Sequence, residues 1–285
     1  MTRLIRAELL KIRTTNTWWL FGLGAFLTTA LAFLVNALQA HQTLHETLDI
    51  PANMPPDRAE RLRQQFEAQH HVYQQASNIY TSGQFFGVMF IMLLGMLMIT
   101  NEYYHQMATA TYLTTPHRTT VVAGKLATAI IAAGFLWLAT TVLDLIAGVI
   151  FFKVEGFDPS LGAWSVQRAI LLNLVAYALW AVFGVGFGAL IRSQIGATVT
   201  GTLLYVVGTQ LAQGVFFLIY TLWIKKTWVL TSMVIVPAIA SQIMVSPNKL
   251  YPESPPQWVG AAVLIGYGLV AGAVGTWILR RRDIS

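Results

Sequence analysis

The densest group of residues able to do chemistry is the polar stretch 101–125, NEYYHQMATATYLTTPHRTTVVAGK. It holds Glu102, His105, His117, Arg118 and Lys125 between apolar runs at 84–100 and 119–152. The stretch is too polar to stay in hydrocarbon, and Pro116 ends any helix that precedes it. A short helix and turn held between two membrane spans, on their positively charged side, is a place where a soluble machine can push a membrane one. His41 and His45 share a helical face and His70–His71 follow, so metal ligation is conceivable. No paired carboxylates stand at ligand spacing, and the expectation is a solvated loop without metal. Asp144 is the only acid at membrane depth. A charge there is costly and normally faces a bundle interior or a cavity, which leaves a transport role and a structural hydrogen bond both open.

Catalytic chemistry is otherwise missing from the sequence. No GxxxxGK[ST] loop is present, since Gly124-Lys125 lacks both the upstream glycine and the following hydroxyl. HExxH and GxSxG are absent, and one membrane carboxylate cannot form an acid/base dyad. The chain has no cysteine, which removes disulfides, thiol nucleophiles and thiolate metal sites. No catalytic residue and no cofactor of its own are expected.

Of the 285 residues, 55% are hydrophobic and 11% charged, whereas soluble domains carry about 25% charged residues. The composition places most of the chain in lipid. The formal net charge of +6 has a topological origin. With six spans and both ends inside, ten basic residues face three acids in the cytoplasm, while eight of each lie outside. That is the positive-inside pattern and not a nucleic-acid footprint.

The elements that would hold these residues follow from the hydropathy. Residues 1–15 form an amphipathic pattern, with Leu4, Ile5, Leu9 and Ile12 on one side and Arg3, Arg6, Lys11 and Arg13 on the other. Such a helix suits the inner headgroup region. Spans are expected at 17–38, 84–100, 119–152, 169–191, 195–220 and 258–279. The first run exceeds the about 7–15 apolar residues of a signal peptide and reads as a retained span. Residues 40–81 read as an external loop with a helix. Residues 222–257, interrupted by Pro237, read as external helices that dip back or lie flat before the last span. The predicted fold is an all-α integral membrane protein of six transmembrane helices, with both termini cytoplasmic.

Within the membrane, Gln194, Thr198, Thr202, Tyr205, Thr209 and Gln213 recur every three or four residues and fall on one stripe of the fifth span. Such a stripe either bonds neighbouring helices or lines a wetted path; its length favours the path. Met89 and Met96 share a face of the second span with Phe86, suiting an adaptable apolar wall or plain packing. The candidate path is Phe86, Met89, Met96, Asp144, Thr198, Thr202, Tyr205, Thr209 and Gln213. Gly184, Gly188 and Ala189 in the fourth span, and Gly268, Gly272 and Gly275 in the sixth, allow close helix approach.

Four stretches carry a resemblance: RLIRAELLKIRTTNTWW at 3–19, the loop 101–125, GALIRSQIGA at 188–197 and VIVPAIASQIM at 234–244. In this order and spacing they resemble bacterial type-2 ABC transporter permeases, especially the short actinobacterial kind. Tyr104 stands where the family pattern has Arg, and Gln106-Met107 where Gly-Thr is common. The resemblance implies a coupling helix within 105–118 that docks into a separate ATP-binding subunit. The residues carried over are Glu102, Tyr103, His105, Thr109, Tyr112, Thr115, Pro116, His117 and Arg118. Residues 1–15, with Arg3, Arg6, Lys11 and Arg13, would be the membrane-surface connector. The resemblance further implies two ATP-binding cassette ATPase subunits carrying ATP and magnesium, and a second permease chain, identical or homologous. The second and fifth spans would face the central path in a bacterial plasma membrane.

The resulting expectation is an ATP-driven exporter subunit working by alternating access, with amphipathic, drug-like or lipid-like cargo. Two other classes remain. An ion-coupled secondary transporter would use Asp144, and a non-transporting scaffold or sensor would use the polar stripe only for helix contacts.

Overall fold

Lipid offers no partners for backbone N–H and C=O groups, so long apolar runs fold as helices that satisfy them internally. The computed structural model describes residues 2–46, 55, 58–60, 62, 72–107, 118–191, 193–247 and 254–281. The helices are α1 (Thr2–Thr14), α2 (Thr17–His45), α3 (Val72–Tyr80), α4 (Gln84–Tyr104), α5 (Arg118–Glu155), α6 (Trp164–Leu190), α7 (Gln194–Leu218), α8 (Trp228–Thr231), α9 (Pro237–Val245) and α10 (Gln257–Arg281). A π-helical turn, Ile219–Ile224, continues α7, and a 3-10 turn, Ser232–Ile235, continues α8. Among the described residues there is no strand. Six stretches are long and apolar enough to cross a membrane: α2, α3 with α4, α5, α6, α7 with its π turn, and α10. The protein is an all-α multi-pass membrane protein.

Several helices outrun the spans read from hydropathy. α2 continues to His45 and α5 to Glu155, while α3 leads into α4 across the turn at 81–83. Residues 40–45, expected in the external loop, therefore belong to α2. Hydropathy marks where the bilayer ends, but a helix continues until a cap or a breaking residue stops it.

α4 is the axis of the bundle. Within the apolar window of the α3–α4 stretch 83% is buried, against 17% for α2 and 11% for the α7 stretch. Small residues bring α4 and α6 together. A Cβ at Gly95 would lie 2.8 Å from the Ala181 carbonyl oxygen, and one at Gly188 the same distance from Met96 Cα. Gly184 packs on the Met92 carbonyl in the same way. Without Cβ atoms the two backbones touch, which is how helices gain packing energy in lipid.

The segment before α10 is bent by 100° between Trp228–Ile235 and Pro237–Val245. The break has a local cause. Val236 takes extended geometry (φ −72°, ψ 121°), as the residue before proline must, and Pro237 opens α9 where its missing N–H is harmless. Neither limb spans the bilayer at 1.5 Å per residue. Gln84 Nε2, at the start of α4, donates to the Ser241 carbonyl at 2.9 Å, and Gln257 Nε2, at the start of α10, donates to the Ser246 carbonyl at 2.6 Å. Both bonds hold the bent segment at one end of the bundle, against the starts of α4 and α10.

Candidate functional site

At the opposite end, α1 lies across the start of α5. Gly124 makes the approach possible, because Leu4 occupies the space a Cβ would need. Leu4, Ile5, Leu9 and Ile12 are half-buried, whereas Arg3, Arg6 and Arg13 are exposed. Lys11 departs from this division between apolar and basic faces. Its Nζ lies 2.7 Å from Glu8 Oε1 and 2.7 Å from Glu102 Oε1. Lys125 Nζ lies 3.0 Å from Glu8 Oε2 and 2.8 Å from Glu102 Oε1, and donates to the Met98 carbonyl at 3.1 Å.

Two lysines and two glutamates thus form a closed ring in which every charge touches two of opposite sign. Lys125 is 2% exposed and Glu8 3%. Such burial is tolerable only because the ring is neutral and fully paired. Burial would lower the Lys11 ammonium, but its bonds to Glu102 and Glu8 outweigh that and hold it above the ordinary lysine value of 10.5. The ring joins α1, the last turn of α4 and the second turn of α5. Residues 108–117 run between the latter two.

α4 stops before Pro116 can act. Its end is a Schellman motif: Met107 N–H donates to the Glu102 carbonyl at 2.9 Å, and Gln106 N–H to the Tyr103 carbonyl at 3.2 Å. Gln106 accordingly takes a left-handed φ of 55°, which glycine adopts more readily. The chain therefore leaves α4 in a direction set by Glu102 and its neighbours.

Of the loop residues expected to meet an ATPase, Glu102 is in the ring and Tyr103 is half-buried beside it. His105 is exposed, its ring edge-on to Tyr104 at 4.9 Å. Thr109, Tyr112, Thr115, Pro116 and His117 lie outside the described residues, and Arg118 opens α5. Glu8 was not among the expected site residues, and Lys125 was noted in the polar stretch without a coupling role. Both had a signal: Glu8 sits in the middle of the apolar stripe of α1, and Lys125 stands alone in an apolar run.

A second feature is a cavity of about 270 Å³ between α4, α6, α7 and the bend at Pro237. Met92, Met96, Trp180, Phe183, Tyr205 and Val236 are among its walls. From the expected path it collects Met96, Tyr205 and Thr209. Phe86 packs edge-on against Phe85 at 5.1 Å, Met89 lies in the core, and Thr198, Thr202 and Gln213 are half-buried outside the cavity. Three hydroxyls of the stripe are already engaged. Tyr205 Oη donates to the Phe85 carbonyl at 2.8 Å, Thr209 to the Tyr205 carbonyl, and Thr198 to the Gln194 carbonyl at 3.0 Å. What the cavity offers is apolar and aromatic surface.

Asp144 is apart from it. Its Oδ2 accepts from Gly83 N–H at 3.2 Å, while Tyr177 Oη donates to the Gly83 carbonyl at 3.3 Å and sits 3.2 Å from Thr140 Oγ1. These bonds hold the turn between α3 and α4, and they supply the structural hydrogen bond that the sequence left open.

No curated protein sequence matched the chain. A family model described as ABC-2 family transporter protein matches residues 4–209, the region that contains the charge ring, the loop it brackets, four of the six spans and the first half of the fifth. With most of its length covered by that match and its helices built to cross a membrane, the chain belongs to the ABC-2 transporter family and is a membrane-spanning permease subunit of an ABC transporter.

Proposed function

We propose that this permease subunit belongs to an exporter, in which ATP binding and hydrolysis on partner ATPase subunits are converted into movement of the bundle through the charge ring. The single observation that carries this reading is the ring itself. It fastens the connector helix α1 to both helices that bracket residues 108–117, so a push on that loop moves three elements as one. The chain lacks a nucleotide-binding loop, so ATP and magnesium are held by the partner. Two ATPase subunits and a second permease chain complete the assembly, which sits in the bacterial plasma membrane with α1 and the loop cytoplasmic. Residues 105–118 dock on the ATPase, and Arg3, Arg6 and Arg13 keep α1 at anionic headgroups.

The cargo is amphipathic or lipid-like, since Met, Trp and Phe side chains around the cavity fit apolar groups of varied shape. Alternating access would expose the cavity to one side and then the other. The test is co-purification of the full chain with its ATPase, followed by transport in proteoliposomes. Wild type should hydrolyse ATP and transport together, and Lys125→Met should hydrolyse without transporting. Failure of any ATPase to associate with the intact chain would sink the reading.

A further inference from the structure

At the end of the bundle away from α1, the last turns of α2 and α5 bring His41, His45 and Glu155 together. His41 Nδ1 lies 3.0 Å from Glu155 Oε1 and 2.9 Å from Oε2, and His45 Nδ1 lies 3.7 Å from Oε2. One possible ligand atom from each residue falls within 4.8 Å of the others. The four-residue spacing stacks the imidazoles on one helix face, with ring centroids 4.7 Å apart. Phe157 meets His45 edge-on at 6.2 Å and steadies that ring. The carboxylate is the inner member, 15% exposed, and the imidazoles, 54% and 52% exposed, are open to the surroundings.

We propose that His41, His45 and Glu155 bind a divalent transition-metal ion of the zinc type, joining the end of α2 to the end of α5.

The donor chemistry supports this. Two imidazoles with one carboxylate form a recurrent zinc set, and three protein ligands at an exposed position leave the fourth to water. Ligand atoms about 2.0–2.2 Å from a tetrahedral zinc stand roughly 3.3 Å from one another. The two histidine–glutamate separations, 2.9 and 3.7 Å, bracket that value. His45 Nδ1 also lies 3.0 Å from the carbonyl oxygen of His41, so that ring gives up this contact, or ligates through Nε2, when it takes the ion. The sequence pattern lacked a carboxylate at ligand spacing because Glu155 arrives from a helix more than a hundred residues away.

The experiment uses the full chain, tag-free and chelator-treated, in nanodiscs, with zinc titrated against a competing zinc-binding dye and magnesium as a control. One zinc per chain should bind. His41→Ala and His45→Ala should each weaken binding at least 10-fold, and zinc should raise the melting temperature of wild type but not of the double variant. Glu155→Gln, which keeps the shape, should weaken binding too. His70→Ala/His71→Ala should leave binding unchanged. Equal zinc affinity in wild type and His41→Ala/His45→Ala overturns the proposal, as does loss of binding in the His70/His71 variant alone.

Discussion

Lys125→Met tests whether the charge ring acts as one unit. The substitution keeps an unbranched chain of similar length and removes two contacts, at 3.0 and 2.8 Å, from carboxylates whose side chains are 3% and 6% exposed. Water cannot replace the lost ammonium, and Lys11 alone then faces two carboxylates. Removing one partner of a buried pair costs about 3–5 kcal/mol. Lys11→Met breaks contacts just as short, but its ammonium is 37% exposed, so solvent screening reduces the loss to about 1 kcal/mol. At roughly 2–4 °C per kcal/mol for a chain of this size, Lys125→Met should melt about 10 °C below wild type and Lys11→Met about 3 °C below. Nine tryptophans give the fluorescence signal for thermal unfolding in nanodiscs. A double variant, Lys125→Met/Glu8→Gln, removes one orphaned carboxylate and leaves Lys11 paired with Glu102, so it should recover a good part of the loss. Equal melting losses for the two lysines, or no recovery in the double variant, would refute the ring as a coupled unit.

Other outcomes can be checked with the same preparations. Gln106→Gly should stabilise the protein by about 0.5–1 kcal/mol, because the left-handed position no longer strains a Cβ, and Gln106→Val should destabilise it. Gly184→Val should abolish the monodisperse peak in size-exclusion chromatography, since the new side chain meets the Met92 backbone and forces α4 from α6. Because Lys11 titrates above its ordinary 10.5 in the folded protein, its contribution is complete below that value and is lost as pH rises through the folded one. Melting temperature should therefore show no Lys11-dependent change from neutral pH to about 10 and a steeper fall above it in wild type than in Lys11→Met. Asp144→Asn should keep the fold and ATP-driven transport, because the amide oxygen still accepts from Gly83 N–H; pH-dependent transport lost in this variant would favour the ion-coupled alternative.

How much of this was legible in the sequence depended on whether the signal was local. Hydropathy gave the number of spans, and Pro237 marked the interruption at which the segment before the last span bends. The i, i+4 repeats of α7 placed Tyr205 and Thr209 on one face. What lies on that face was not legible, since the periodicity of a stripe is the same whether its hydroxyls meet water or a backbone carbonyl. The ring and the histidine cluster share a different reason. Glu8 finds Lys125, and His41 finds Glu155, across more than a hundred residues. Only the solitary placement of Glu8 and Lys125 among apolar neighbours hinted that each needed a partner.

The distribution of burial bears on how two permease chains would meet. The second span was expected to face the shared path, yet α4 is enclosed by its own chain, while α7 turns Leu203, Leu204, Leu211 and Val215 outward. A partner chain on that bare face would touch α7, and the cavity would lie directly behind it. α4 reaches the cavity only through Met92 and Met96, and the Tyr205 hydroxyl fastens α7 to the start of α4 through the Phe85 carbonyl. The ring grips the other end of α4. Under the proposed function, a push on the loop would therefore act on the most buried helix of the bundle, which carries at its other end the carbonyl that holds Tyr205 of the cavity wall.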